Sequence, residues 1–227
     1  MLRAAGIKPP YILVGHSFGG LVMRRFALMY PEEITGIVLV DPMRPEEWPP
    51  FDRAKQATLE RGIRMSRYAI LIARIGVARL AITSLLCRSG RMSAFLAKAG
   101  GTGPKHVLSR IKGEVGKMPE SLRPKVAAHW SRPSHYAGMS NHLKAVTATV
   151  REMQDAGPIQ GIPVTLLTPG TSTPLCENGL RRIGDNVQQL IAPQCTHWAH
   201  LEQPELVIES ISKMVRAMMD DSVAVGI

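Results

Sequence analysis

Two short apolar runs, Tyr11-Ile12-Leu13-Val14 and Gly36-Ile37-Val38-Leu39-Val40, flank a stretch whose apolar positions recur at helical spacing from Leu21 to Tyr30. Neither run alternates with polar residues, which is the pattern of strands in a parallel sheet covered on both faces. Together they predict a βαβ unit: a strand over 11–16, a helix over about 18–30 closed by Pro31, and a second strand over 36–40. A third strand is expected over 162–167, between Gly161 and Pro169-Gly170, and a fourth over 187–192. Pro204, a residue favoured in a first helical turn, opens a closing helix whose apolar positions are Leu206, Val207, Ile211, Met214 and Val215.

Residues 44–156 read differently. They form helical segments rich in Arg, Met and Ala, punctuated by Pro49-Pro50, Gly100-Gly101 and Pro133, with no strand pattern. The expected class is therefore α/β, a mainly parallel sheet flanked by helices, with residues 1–43 and 157–227 as the core and 44–156 as a helical cap or lid insertion over the strand ends. Tyr68, Ile70, Leu71, Ile72, Ile75, Val77 and Leu80 suit a lid helix over an apolar pocket, or a cap helix buried against its neighbours. Trp130, Met139 and Met153 are candidates for pocket lining or for core. Arg74 and Arg79 interrupt the apolar stretch from Tyr68 to Cys87, and a charge at bilayer depth is costly enough to argue against a membrane span.

Composition narrows the classes. The 227 residues are 45% apolar, enough for a sizeable core, and the formal net charge of +10 is spread without a block of five like charges. That distribution argues for solvated helix faces and against a nucleic-acid surface; contact with a membrane surface is a minor alternative. Cys87, Cys176 and Cys195 are too few and too scattered for a disulfide framework. The first residues hold no apolar stretch of secretory length, so the expected compartment is the cytoplasm. Gly100 to Lys105 lacks the spacing of a phosphate loop. His106, His129, His135 and His142 show no clustered ligand spacing, and neither a metal nor a cofactor is expected.

The candidate chemistry begins at Gly15-His16-Ser17-Phe18-Gly19, a G-x-S-x-G motif between a strand and a helix, with Gly20 following. A serine at such a sharp turn projects its hydroxyl clear of the sheet, and the glycines leave room where a side chain would strike backbone. A serine hydroxyl needs a base to take its proton and a third group to hold that base. Two histidines, His197 and His200, lie between the last strand and the closing helix in Cys195-Thr196-His197-Trp198-Ala199-His200-Leu201-Glu202-Gln203-Pro204-Glu205.

On these residues the chain resembles the α/β-hydrolase superfamily, whose last strand is followed by a catalytic histidine and then a helix introduced by an acidic-x-Pro-Glu segment. The resemblance implies that Ser17 is the nucleophile, that His197 is the base in preference to His200, and that the Phe18 N–H is the first oxyanion donor. It leaves the acid open. The family's usual position follows the strand before the last, where this chain reads Pro169-Gly170-Thr171-Ser172-Thr173-Pro174 with Glu177 a few residues on. The alternative is Asp41 at the end of the second strand, favoured because that strand should neighbour the one carrying Ser17. Asp also occurs there in family members as a turn residue.

The serine separates the chain from superfamily members with an aspartate nucleophile, such as epoxide hydrolases. It implies acyl transfer to water from an ester, amide or similar bond of a small, hydrophobic substrate. The resemblance also places several strands and a second oxyanion donor before the elbow, so the chain reads as an N-terminally truncated hydrolase, or as a short protein completed by a partner chain or oligomer. A reading from another class stays beside the enzyme: a catalytically impaired fragment or pseudoenzyme that acts as a binding module.

Overall fold

The structure is a computed structural model that describes residues 2–45, 53–86 and 116–224. Pro49-Pro50, Cys87, Gly100 to Lys105 and His106 lie outside the described residues. The chain divides into two compact units, Met1–Trp48 with Thr149–Ile227, and Pro49–Ala148.

The first unit is built on four parallel strands in the order β1-β2-β3-β4. These are β1 (Tyr11–His16), β2 (Ile34–Val40), β3 (Val164–Pro169) and β4 (Val187–Ala192). Helix α1 (Phe18–Met29) crosses from β1 to β2, as the βαβ reading requires. Strand β2 starts two residues before the apolar run suggests, because Ile34 pairs with Tyr11 across a register shift in β1. The third strand is displaced toward its C-terminus, to Val164–Pro169. Pro169 lacks an amide, and it is tolerated at the last position of β3 because pairing with β2 has already ended at Leu167.

Strand order explains why burial is uneven. Every residue of β3 is buried and so are all but one of β2, whereas β1 and β4, at the two sides of the sheet, are only partly covered. Of the two strands expected to be covered on both faces, β2 is covered and β1 only partly so. Successive side chains of β2 face opposite ways: Ile37 and Leu39 join Leu13, Ala27, Val164 and Leu166 in one core, and Val38 and Val40 join Leu167, Val207 and Met214 in the other. Each fully buried Val, Leu or Ile contributes about 1.5–3 kcal/mol relative to exposure, so these two layers dominate the stability of the unit. Helix α1 covers the first face, and the long closing helix from Pro204 to Ala224 covers the second.

The second unit holds helix α2 (Arg53–Arg74), α3 (Val77–Leu86), α4 (Arg123–Trp130) and most of α5 (Pro133–Gln154), whose last residues belong to the first unit. Gly76, at φ 78°, supplies the left-handed turn between α2 and α3. The inward face of α2 carries the buried Ser66 and Ala73 with the half-buried Ile63 and Ile70, and the Ser66 hydroxyl donates to the Gly62 carbonyl at 2.8 Å. Its large apolar residues Tyr68, Leu71 and Ile72 are exposed, and Ile75, just beyond its end, is 75% exposed. Val146, Val150 and Met153 of α5 are buried, Trp130 packs beside Ala127, and Met139 is 42% exposed. Among the described residues no helix is long and apolar enough to cross a membrane.

Three helices follow β3: the short α6 (Glu177–Arg181) between β3 and β4, the short α7 (Ala199–Glu202) after β4, and the long closing helix α8 (Pro204–Ala224). Only α8 carries a periodic apolar stripe long enough to be read in advance.

Candidate active site

Parallel strands deliver their C-terminal ends to one side of the sheet, and the register here brings His16 level with Val40, Val40 with Leu167, and Pro169 with Ala192. Residues just beyond these ends are therefore neighbours despite their separation in sequence. Ser17 follows β1, Asp41 follows β2, Ser172 lies in the loop after β3, and His197 lies in the loop after β4. Ser17, Asp41, Ser172 and His197 line one cavity of about 390 Å³, with Pro42, Met43, Arg44 and Thr173.

Ser17 sits at φ 54°, ψ −122°, outside the ordinary regions for an L-residue. Its own hydrogen bonds maintain the strain. The Ser17 amide donates to the Val40 carbonyl at 3.1 Å, and the Ser17 carbonyl accepts from the amides of Gly20 at 3.0 Å and Met43 at 2.9 Å. Two of the three elbow glycines are required by space. A Cβ at Gly15 would stand 2.7 Å from the Gly19 carbonyl oxygen, and one at Gly20 would stand 2.6 Å from Pro42 Cβ. Gly19 differs from the expectation, since a Cβ there would meet nothing within 4 Å. Phe18 is the first residue of α1, where amides point along the axis toward the helix N-terminus.

Asp41 also has positive φ, at 38°, and its amide donates to the Leu167 carbonyl at 2.8 Å. Its carboxylate is largely buried and receives two donors: His197 Nδ1–H at 2.7 Å on Oδ2, and the Ser172 hydroxyl at 3.3 Å on Oδ1. The proton on His197 Nδ1 leaves Nε2 as the basic nitrogen of the neutral ring. Among the described hydrogen bonds none joins the Ser17 hydroxyl to that imidazole, a contact that closes in many hydrolases only when substrate is bound. Glu177, the other candidate acid, is on α6 in an exposed pair with Arg181 at 2.5 Å and is not among the cavity's lining residues.

Three contacts around the site have no counterpart in the sequence reading. The Ser172 hydroxyl occupies the loop where the resemblance places an acid, and it bonds Asp41, the candidate acid that follows β2. Glu202 accepts from the Thr196 amide at 2.6 Å and from its hydroxyl at 2.8 Å, which ties the histidine loop to α7. The His16 Nε2–H donates to the His197 carbonyl at 2.7 Å. Burial above all lowers the His16 pKa; the hydrogen bond to the His197 carbonyl opposes this, and the charges of His200 and His197 lower it further. The pKa of His200 is likewise lowered, by burial and then by His197. Sequence position alone does not signal the Ser172 and His16 contacts, because they join residues 131 and 181 positions apart.

A second cavity in the same unit, of about 280 Å³, shares Pro42, Met43 and Arg44 with the first and adds Leu175 and Ile183. In the helical unit His129, His135, His142 and Met139 line a cavity of about 350 Å³. Among the described residues no group of three His, Cys, Asp or Glu side chains could hold a metal ion, and Cys176 and Cys195 are free.

The sheet, elbow and histidine loop define a class, and comparison with known proteins names it. The chain belongs to the α/β hydrolase family, whose model matches residues 2–210. A curated relative, the Bacillus subtilis protein YqjL, is 43% identical over 42 residues, which are 18% of this chain and 17% of that one, so the chain spans under a fifth of that relative's length. Among solved structures, the Nostoc protein ALR0039 is 16% identical with a TM-score of 0.62, over 94% of this chain and 69% of that one. Cfl2 from Burkholderia cenocepacia is 18% identical with a TM-score of 0.60, over 93% and 67%. A thermophilic esterase from Thermogutta terrifontis is 17% identical with a TM-score of 0.50, over 95% and 68%. At these identities the likeness is one of fold.

Proposed function

We propose that this chain is a serine hydrolase that cleaves an ester, amide or similar acyl bond of a small substrate through an acyl-enzyme. The observation that carries this reading is the 2.7 Å hydrogen bond from His197 Nδ1 to Asp41 Oδ2, in the same cavity as a serine held at positive φ. Ser17 Oγ attacks the carbonyl carbon while His197 Nε2 takes its proton. Asp41 keeps the imidazole in the tautomer that exposes Nε2 and stabilises the imidazolium. The Phe18 N–H, at the head of α1, donates to the oxyanion. His197 then protonates the leaving group, and a water activated by the same imidazole releases the acyl group from Ser17.

The lining beside Ser17 is mainly polar, which does not favour a wholly apolar substrate. Pro42, Met43, Leu175 and Ile183 of the adjoining cavity offer the apolar part of an acyl substrate its place. Labelling by a fluorophosphonate probe tests the assignment. The native chain is expected to label and Ser17→Ala to lose the label. Equal labelling of the two would show that the nucleophile lies elsewhere, and no labelling of the native chain would favour a binding module over an enzyme.

A further inference from the structure

The acyl-transfer steps give no role to a cluster of rings beside the base. The His16 ring lies 4.6 Å from that of His197, 4.4 Å from that of His200 and 5.4 Å from that of Trp198, between centroids. His16 is half-buried, and its Nε2 is 2.7 Å from the carbonyl oxygen of His197. A carbonyl can only accept, so Nε2 carries the proton in this contact whatever the charge of the ring.

The loop between β4 and α7 needs such an anchor. The His197 side chain is 46% exposed, so packing alone does not hold it, and the loop is irregular from Pro193 to Trp198. Glu202 holds Thr196, but Glu202 belongs to the helix that this same loop enters. His16 comes from the strand end that carries the nucleophile. Its ring therefore spans from β1 to the backbone of the base, while Ser17 occupies the next position in the chain.

We infer that His16 is a positioning residue: by donating from Nε2 to the His197 carbonyl, it holds the β4–α7 loop in the rotation that presents the His197 imidazole to Asp41 and Ser17. The inference rests on the proposed roles of Ser17, His197 and Asp41. A ring that merely filled space would be replaced by phenylalanine without loss. A ring needed for its Nε2 donor would be replaced by glutamine, whose amide nitrogen sits at a similar reach.

The experiment uses the full chain and the variants His16→Phe, His16→Gln and Ser17→Ala. Ester turnover and the rate of fluorophosphonate labelling are measured beside the proton NMR signal of the His197 Nδ1–H bonded to Asp41. Loss of one neutral hydrogen bond to a positioned group sets the expected effect at about tenfold in kcat and labelling rate for His16→Phe. KM should stay within about twofold, because the substrate contacts are unchanged. His16→Gln should recover most of the rate, and the Nδ1 proton signal should persist in His16→Gln and be lost to solvent exchange in His16→Phe. Native rates and an unchanged signal in His16→Phe would overturn the inference, and so would a His16→Gln variant as slow as His16→Phe. If Ser17→Ala still labels, the assignment of the nucleophile fails, while the Nδ1 signal still decides the role of His16. Where His16→Phe does not fold, His16→Asn, whose amide is too short to reach the carbonyl, carries the same expectation.

Discussion

Ser17 and Asp41 are the non-glycine residues with positive φ among the described residues, and they lie side by side at the ends of neighbouring strands. Each such conformation costs on the order of 1–3 kcal/mol and persists only where its surroundings over-determine it. Here the amides and carbonyls of three strand ends do so, through Ser17 to Val40, Met43 to Ser17 and Asp41 to Leu167. The sequence favours Asp41 over Glu177 by expecting its strand beside the one carrying Ser17, but the contact itself turns on which strand ends face the histidine loop. That depends on sheet order, and local sequence does not contain it. Asp41→Asn should lower kcat by about 10⁴, the size seen in well-studied triads when the base loses its orienting carboxylate. Ser172→Ala removes one neutral donor to Asp41 and should lower kcat by roughly three- to tenfold while leaving probe labelling intact. Steady-state turnover of an ester by the two variants checks both; a fully active Asp41→Asn would return the acid to an open question.

At the scale of elements, the elbow works because β1 and α1 meet closely enough that the first turn of the helix lies against the strand end. A Cβ at Gly15 would meet the Gly19 carbonyl carbon at 2.8 Å and the Gly20 amide nitrogen at 2.8 Å, both of them backbone atoms that cannot swing aside. Gly15→Ala should therefore cost about 1–3 kcal/mol or more, as overpacking does. Gly19→Ala meets open space in a helical first turn and should be neutral or stabilising by up to about 1 kcal/mol. Urea unfolding of the two variants measures the difference, and equal midpoints would contradict it. The motif shows glycines at both positions and does not tell them apart; only the approach of the helix to the strand does. Helix α2 has the same limit. Tyr68, Leu71 and Ile72 lie on an exposed face, and of that apolar run only Ile70 shares the inward face of Ser66 and Ala73.

For the molecule as a whole, the histidines make stability depend on pH with a definite sign. Burial lowers the pKa of His16, His135, His142 and His200 below the ordinary value of 6.5, and neighbouring histidines add to this at His16, His135 and His200. Below that ordinary value the unfolded chain binds protons that the folded chain still refuses. The stability present above 6.5 is therefore lost progressively as pH falls through 6.5 toward the lowered folded values. Acidification also adds charge to a chain already at +10, which opposes the compact state further. The melting temperature should fall between about pH 7.5 and 5.5, and fall faster below the ordinary histidine value. Thermal melts across that range test it, and a flat or rising Tm toward acid would refute it.

By itself the sequence determined the α/β class, the order of strands along the chain, the elbow at Ser17 and the histidine after the last strand, because apolar periodicity, glycine placement and short motifs are local and survive in one dimension. It did not determine that β1 and β4 flank the sheet and are less buried than the central pair. Nor did it determine that Asp41 rather than Glu177 meets His197, that Ser172 bonds Asp41, or that His16 bonds the His197 carbonyl. Each of these joins residues far apart in the chain, and the parallel register that brings four strand ends to one level exists only once the sheet has formed.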